Sequence, residues 1–101
     1  MPKIENYDFE LEDKYVSEEY ETITLYFIGP KDMVADKYPD AESTELSVEF
    51  PINNPNCKYA TIMISPTKDG SDYDWYDKDL SPYEIEELIS CGADKGIKGE
   101  N

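Results

Sequence analysis

A chain of 101 residues has room for one hydrophobic core and not for two, and nothing in it approaches the roughly 20 consecutive apolar residues of a membrane-spanning helix. Its formal net charge of -15 repels polyanions, which argues against direct binding of nucleic acid. With no His, Arg or Gln, it lacks the commonest general base and metal ligand and the forked donor that grips phosphate, so no catalytic residue, metal ligand or cofactor is assigned.

Along the chain, the opening Met1 to Asn6 has no apolar stretch of the kind a secretory signal carries, and the protein is expected to stay in the cytoplasm. Tyr7, Phe9 and Leu11 alternate with Asp8, Glu10 and Glu12, the period of a half-buried strand with its acids facing solvent. A second strand is predicted from Glu21 to Ile28, with Ile23, Leu25 and Phe27 on one face and Thr22, Thr24 and Tyr26 on the other. Gly29-Pro30 ends it, and Lys31 to Tyr38 is spaced for a short helix that Pro39 would stop.

The next strand puts Leu46, Val48, Phe50 and Ile52 on one side and Glu45, Ser47 and Glu49 on the other. After a turn rich in Asn and Pro, Tyr59 to Ser65 forms its antiparallel partner, with Ala60, Ile62 and Ile64 sharing a face. A turn at residues 68–71 leads to Asp72-Tyr73-Asp74-Trp75, a short fifth strand or an ordered loop. As a strand it would send Tyr73 and Trp75 to the core and Asp72 and Asp74 outward. The final helix has the clearest local signal: Ser81 as cap, Pro82 at the first helical position, Glu84 closing the S-x-x-E box, and Gly92 as its stop. These elements predict an α+β fold, an antiparallel sheet of four or five strands packed on one C-terminal helix. Residues 1–92 would form a single compact domain and residues 93–101 a flexible tail.

Several constellations touch on chemistry. The acidic segment from Asp69 to Asp79 offers oxygens for calcium, but its sixth position is Asp74 where the EF-hand needs Gly and its twelfth is Leu80 where it needs Glu, so a solvated loop is the better reading. Cys57 and Cys91 form no CxxC pair, and Cys91 sits at the helix end whose dipole disfavours a thiolate; both read as ordinary thiols. Tyr7, Tyr59 and Tyr83 read as half-buried core residues.

The distribution of charge says more. Residues 5–21 hold eight acids against Lys14, and residues 69–87 hold eight against Lys78, so these two stretches carry nearly the whole imbalance. Asp8, Glu10 and Glu12 on one strand face would stand about 6.7 Å apart, a row of fixed charge able to stand in for phosphates. Tyr73, Trp75 and Tyr76, interleaved with Asp69, Asp72, Asp74, Asp77 and Asp79, would add rings for cation-π contact with a basic partner. These residues are the predicted partner-binding set, and the expected partner is a protein with a basic surface, such as a nuclease.

In size, charge and residue usage the chain resembles the small acidic proteins with which phages and mobile elements block restriction or CRISPR nucleases. That resemblance implies an inhibitor that mimics nucleic acid. The alternative is a regulatory or structural adaptor with an ordinary interface, its acidity serving solubility alone.

Overall fold

In a computed structural model, which describes residues 2–67 and 74–94, the alternating segments become strands β1 (Lys3–Ile4), β2 (Tyr7–Asp8), β3 (Glu10–Ser17), β4 (Thr22–Gly29), β5 (Ser43–Pro51), β6 (Thr61–Thr67) and β7 (Tyr76–Asp77). One α-helix follows, α1 (Pro82–Asp94). β1 and β2 make a small hairpin. The other five strands form one antiparallel sheet in the order β3-β4-β5-β6-β7, so each strand lies beside its neighbour in the chain. The α+β class and the sheet expected from the alternation are both present.

Strand pairing aligns the apolar side chains into rows on one face: Leu11, Phe27, Leu46 and Ile64, then Leu25, Val48 and Ile62, then Ile23 and Phe50. Helix α1 lays Ile85, Leu88 and Ile89 on this face, and Ile4 and Phe9 complete the main core. A smaller cluster of Val34, Ala41 and Ile64 lies under the 30–42 connection. Removing each large aliphatic or aromatic side chain from water contributes about 1.5–3 kcal/mol, which is why the phase of the alternation decides which way the sheet faces. Cys57 and Cys91, both half-buried thiols, pack on the same core. Among the described residues no helix is long and apolar enough to cross a membrane.

The start of α1 is joined to the β1–β2 hairpin. Ser81 Oγ accepts from the Glu84 N–H at 3.2 Å and Glu84 Oε1 accepts from the Ser81 N–H at 3.0 Å, the reciprocal bonds of a capping box. The other carboxylate oxygen, Oε2, accepts from the Glu5 N–H at 3.3 Å, and the Glu5 carboxylate pairs with Lys78 Nζ at 2.7 Å. Glu5 and Asn6 have φ of 53° and 74°, as the tight hairpin turn between β1 and β2 requires. These contacts hold the Glu84 carboxyl below its ordinary value of 4.5, the Ser81 N–H contributing most.

Several local expectations are corrected. The strand expected over residues 7–12 divides at Phe9, whose N–H donates to Pro2 O and whose ring is buried against Gly29; a Cβ at residue 29 would lie 2.5 Å from that ring. The helix over 31–38 shrinks to a 3-10 turn at Lys31–Met33, since eight residues between two prolines give little return on the cost of helix nucleation. Ile52 is exposed, because Pro51 ends β5 and the chain turns away. Tyr59 lies on a 3-10 turn outside β6 and Tyr83 on the solvent side of α1, so both are exposed, whereas Tyr7 is half-buried as expected.

Gly92 does not stop α1, which runs on to Asp94; the expected tail from residue 95 lies outside the described residues. Its role is close approach: a Cβ there would sit 2.3 Å from Leu25 Cδ1, and Leu25 is wholly buried. Helix propensity alone would make Gly92→Ala stabilising by about 1 kcal/mol. The crowding reverses that sign, and the variant should lose roughly 1–3 kcal/mol in urea denaturation.

Glu84→Ala should cost about 1 kcal/mol at pH 7 through loss of the cap. Because the folded-state carboxyl is held below its ordinary value, its contribution is full above that value and is lost as pH falls through the folded one. Denaturation curves of parent and variant should therefore converge between pH 7 and pH 3.

Candidate interaction surface

The opposite face of the sheet is set by the same register. One outward row runs Glu10, Ile28, Glu45 and Ser65; the next runs Asp13, Tyr26, Ser47, Met63 and Asp77; a third runs Tyr15, Thr24, Glu49 and Thr61. Among the described residues, α1 and the 30–42 connection lie on the other side, and Trp75 overlies this face at Tyr26.

A β-bulge determines which side chains of β3 belong here. Pairing passes from Leu11 opposite Phe27 directly to Asp13 opposite Tyr26, leaving Glu12 as the extra residue. From that point the strand is one step out of phase. Asp13 and Tyr15 join the outward face, while Lys14 and Val16 fall opposite Leu25 and Ile23 on the inward one. A regular strand would have done the reverse, placing a lysine among the acids.

The carboxylates crowd one another. Glu45, on the central strand β5, shares a hydrogen bond with Glu12, and its carboxyl is pushed above the ordinary 4.5 by burial first and then by Glu12's charge. Burial likewise raises the Tyr26 hydroxyl, with the charges of Glu45, Glu49 and Asp13 adding to it. A hollow of about 260 Å³ opens beside Tyr26, with Trp75, Met63 and Glu49 among its walls.

The predicted partner-binding residues divide. Asp8, Glu10 and Glu12 do not form one row: Asp8 lies on the small hairpin, Glu10 on β3 and Glu12 in the bulge. Asp8 is moreover paired with Lys3 Nζ at 2.7 Å, and that hydrogen bond, with the lysine's charge, holds its carboxyl below 3.8. Trp75 points outward, against the strand reading of residues 72–75 and in keeping with the loop reading. The pairing of β7 with β6 puts Tyr76 inward opposite Ile64 and Asp77 outward opposite Met63, and Trp75 shares the parity of Asp77. Its ring meets Tyr26 edge-on, with centroids 6.4 Å apart.

Tyr76 is committed to the inner side, stacked on Tyr38 at 6.2 Å with Lys37 Nζ 4.8 Å from its ring centre. Asp74, Asp77 and Asp79 are exposed. Asp69, Asp72 and Tyr73 lie outside the described residues, and with them the first five residues of the segment weighed for calcium. Among the described residues no three Cys, Asp or Glu side chains are placed to hold a metal ion.

The structure adds Asp13, Tyr15, Tyr26, Glu45 and Glu49 to the face. The alternation had already turned Glu45, Glu49 and Tyr26 away from the core; only the strand order shows that β5 sits at the sheet's centre. The two acidic stretches supply its opposite edges, β3 and β7, about 19 Å apart at ordinary strand spacing. Comparison with models of known families, with curated proteins and with solved structures finds no match.

Because the folded-state carboxyl of Glu45 is raised, its ionisation costs stability, a penalty absent below the ordinary value and complete above the folded one. Glu45→Gln should therefore stabilise the protein at pH 7 by roughly 0.2–1 kcal/mol, the worth of one unfavourable cross-strand charge pair. The gain should vanish at pH 3.5 in paired urea titrations.

Proposed function

We propose that the outward sheet face is a docking surface for a protein with a basic surface, and that the chain is a binding module and not a catalyst. One observation carries this reading: six carboxylates, those of Glu10, Glu12, Asp13, Glu45, Glu49 and Asp77, stand on this face with no lysine at an outward strand position among the described residues. A surface of one sign steers an oppositely charged partner and rejects others. Tyr15, Tyr26 and Trp75 lie among the acids and offer ring faces to Lys or Arg side chains.

The sharper form of the proposal is that the partner is a nucleic-acid-binding enzyme of the cytoplasm, such as a nuclease, whose phosphate-binding groove accepts this face in place of DNA or RNA. Charge lies in two dimensions here: Glu10 and Glu45 are separated by one strand, and Glu45 and Glu49 by about 13 Å along β5. Such an array suits a groove lined by several lysines and arginines better than a single-file site.

Capture from lysates of the source organism tests this with two controls. The parent chain should recover a basic nucleic-acid-binding protein that competing DNA releases. Its affinity should fall roughly ten- to a hundredfold as salt rises from 50 to 500 mM. The variant Glu10→Gln, Asp13→Asn, Glu49→Gln should recover much less. Retention at high salt, or equal recovery by the variant, would replace this reading with that of an adaptor bound through apolar contacts.

A further inference from the structure

We propose that the hollow lined by Tyr26 and Trp75 is a cage for one arginine side chain of the partner, an inference that rests on the acidic-face reading above. At about 260 Å³ it is smaller than the roughly 300–1,000 Å³ of sites that enclose whole small-molecule ligands, and it has room for one long side chain. Two of its walls are aromatic rings inclined at 64°, and the Met63 side chain forms another part of the lining. Ring faces attract a cation through their quadrupole, most strongly when water is displaced.

The polar part of the lining specifies the cation. Glu49 is the one charged residue among the described residues that line the hollow, and strand register places Thr24 directly across from it on β4 and Thr61 directly across on β6. A carboxylate flanked by two hydroxyls offers acceptors in a line. A guanidinium is flat enough to lie on a ring, presents paired N–H donors to a carboxylate, and has further donors left for the threonines. An ammonium is a strongly hydrated point charge and would use only part of this arrangement. The chain makes a related contact within itself: Lys37 lies over the stacked rings of Tyr38 and Tyr76.

Trp75 is the sole tryptophan, so its emission reports on the hollow directly. The test titrates the full chain with hexa-arginine and hexa-lysine peptides at low salt. Calorimetry measures total binding and Trp75 fluorescence measures occupancy of the hollow. Hexa-arginine should change the emission saturably, with the midpoint found by calorimetry. Glu49→Gln should weaken it roughly three- to tenfold and reduce the emission change. Glu10→Gln removes the same charge from the same face, two strands away, and should have the smaller effect on both readouts. Tyr26→Leu should abolish the emission change; Glu49 is exposed, so its isosteric variant tests the cage even if Tyr26→Leu does not fold. Calorimetric binding with unmoved Trp75 emission, or equal losses from Glu49→Gln and Glu10→Gln, would overturn the cage and leave the acidic-face reading standing. Absence of calorimetric binding by either peptide would overturn both.

Discussion

Packing of α1 and the 30–42 connection on one and the same face of the sheet is the constraint from which the rest of this fold follows. Helix α1 and the 30–42 connection both pack on the face that carries Leu25, Phe27, Leu46, Val48 and Ile64, and each strand must therefore keep its large apolar residues in one phase. The helix can approach closely because residue 92 has no side chain to hold it off Leu25. Its entry is fixed by the Ser81–Glu84 box, which in turn secures the hairpin through Glu5 and Lys78. Core, cap and hairpin thus act together to decide which surface is left over. The acidic face is what remains once the apolar one has been spent.

That division of labour explains why the charge could be high without unfolding the domain. Most carboxylates stand where water can reach them, and the crowded one, Glu45, responds by binding its proton more tightly. Two ion pairs among the described residues, Lys3 with Asp8 and Lys78 with Glu5, lie at the hairpin and tie down acids that take no part in the outward rows. The acids left on the sheet are those that the proposed partner would meet.

Much of this was legible in the chain because it depends on local rules. Period-two alternation located Ile23, Leu25 and Phe27, and then Leu46, Val48 and Phe50, and the spacing from Ser81 to Glu84 located the helix start. What was not legible depends on contacts between distant residues. Gly92 reads as a helix stop in isolation and becomes a packing position only when Leu25 arrives from β4. Trp75 reads as inward on a strand and exposed on a loop, and only the pairing of Tyr76 with Ile64 sets its side. The bulge at Glu12 leaves no mark, since Glu12-Asp13-Lys14 is polar in either phase.

The bulge has one further consequence. Among the described residues β3 is an eight-residue edge strand with a neighbour on one side only, and a regular edge of that length is a template on which a second copy can pair. Glu12 interrupts the spacing of its backbone donors and acceptors, and the acids around it make two such edges repel. The same irregular residue that keeps Lys14 off the acidic face also breaks the regular edge on which a second copy would pair.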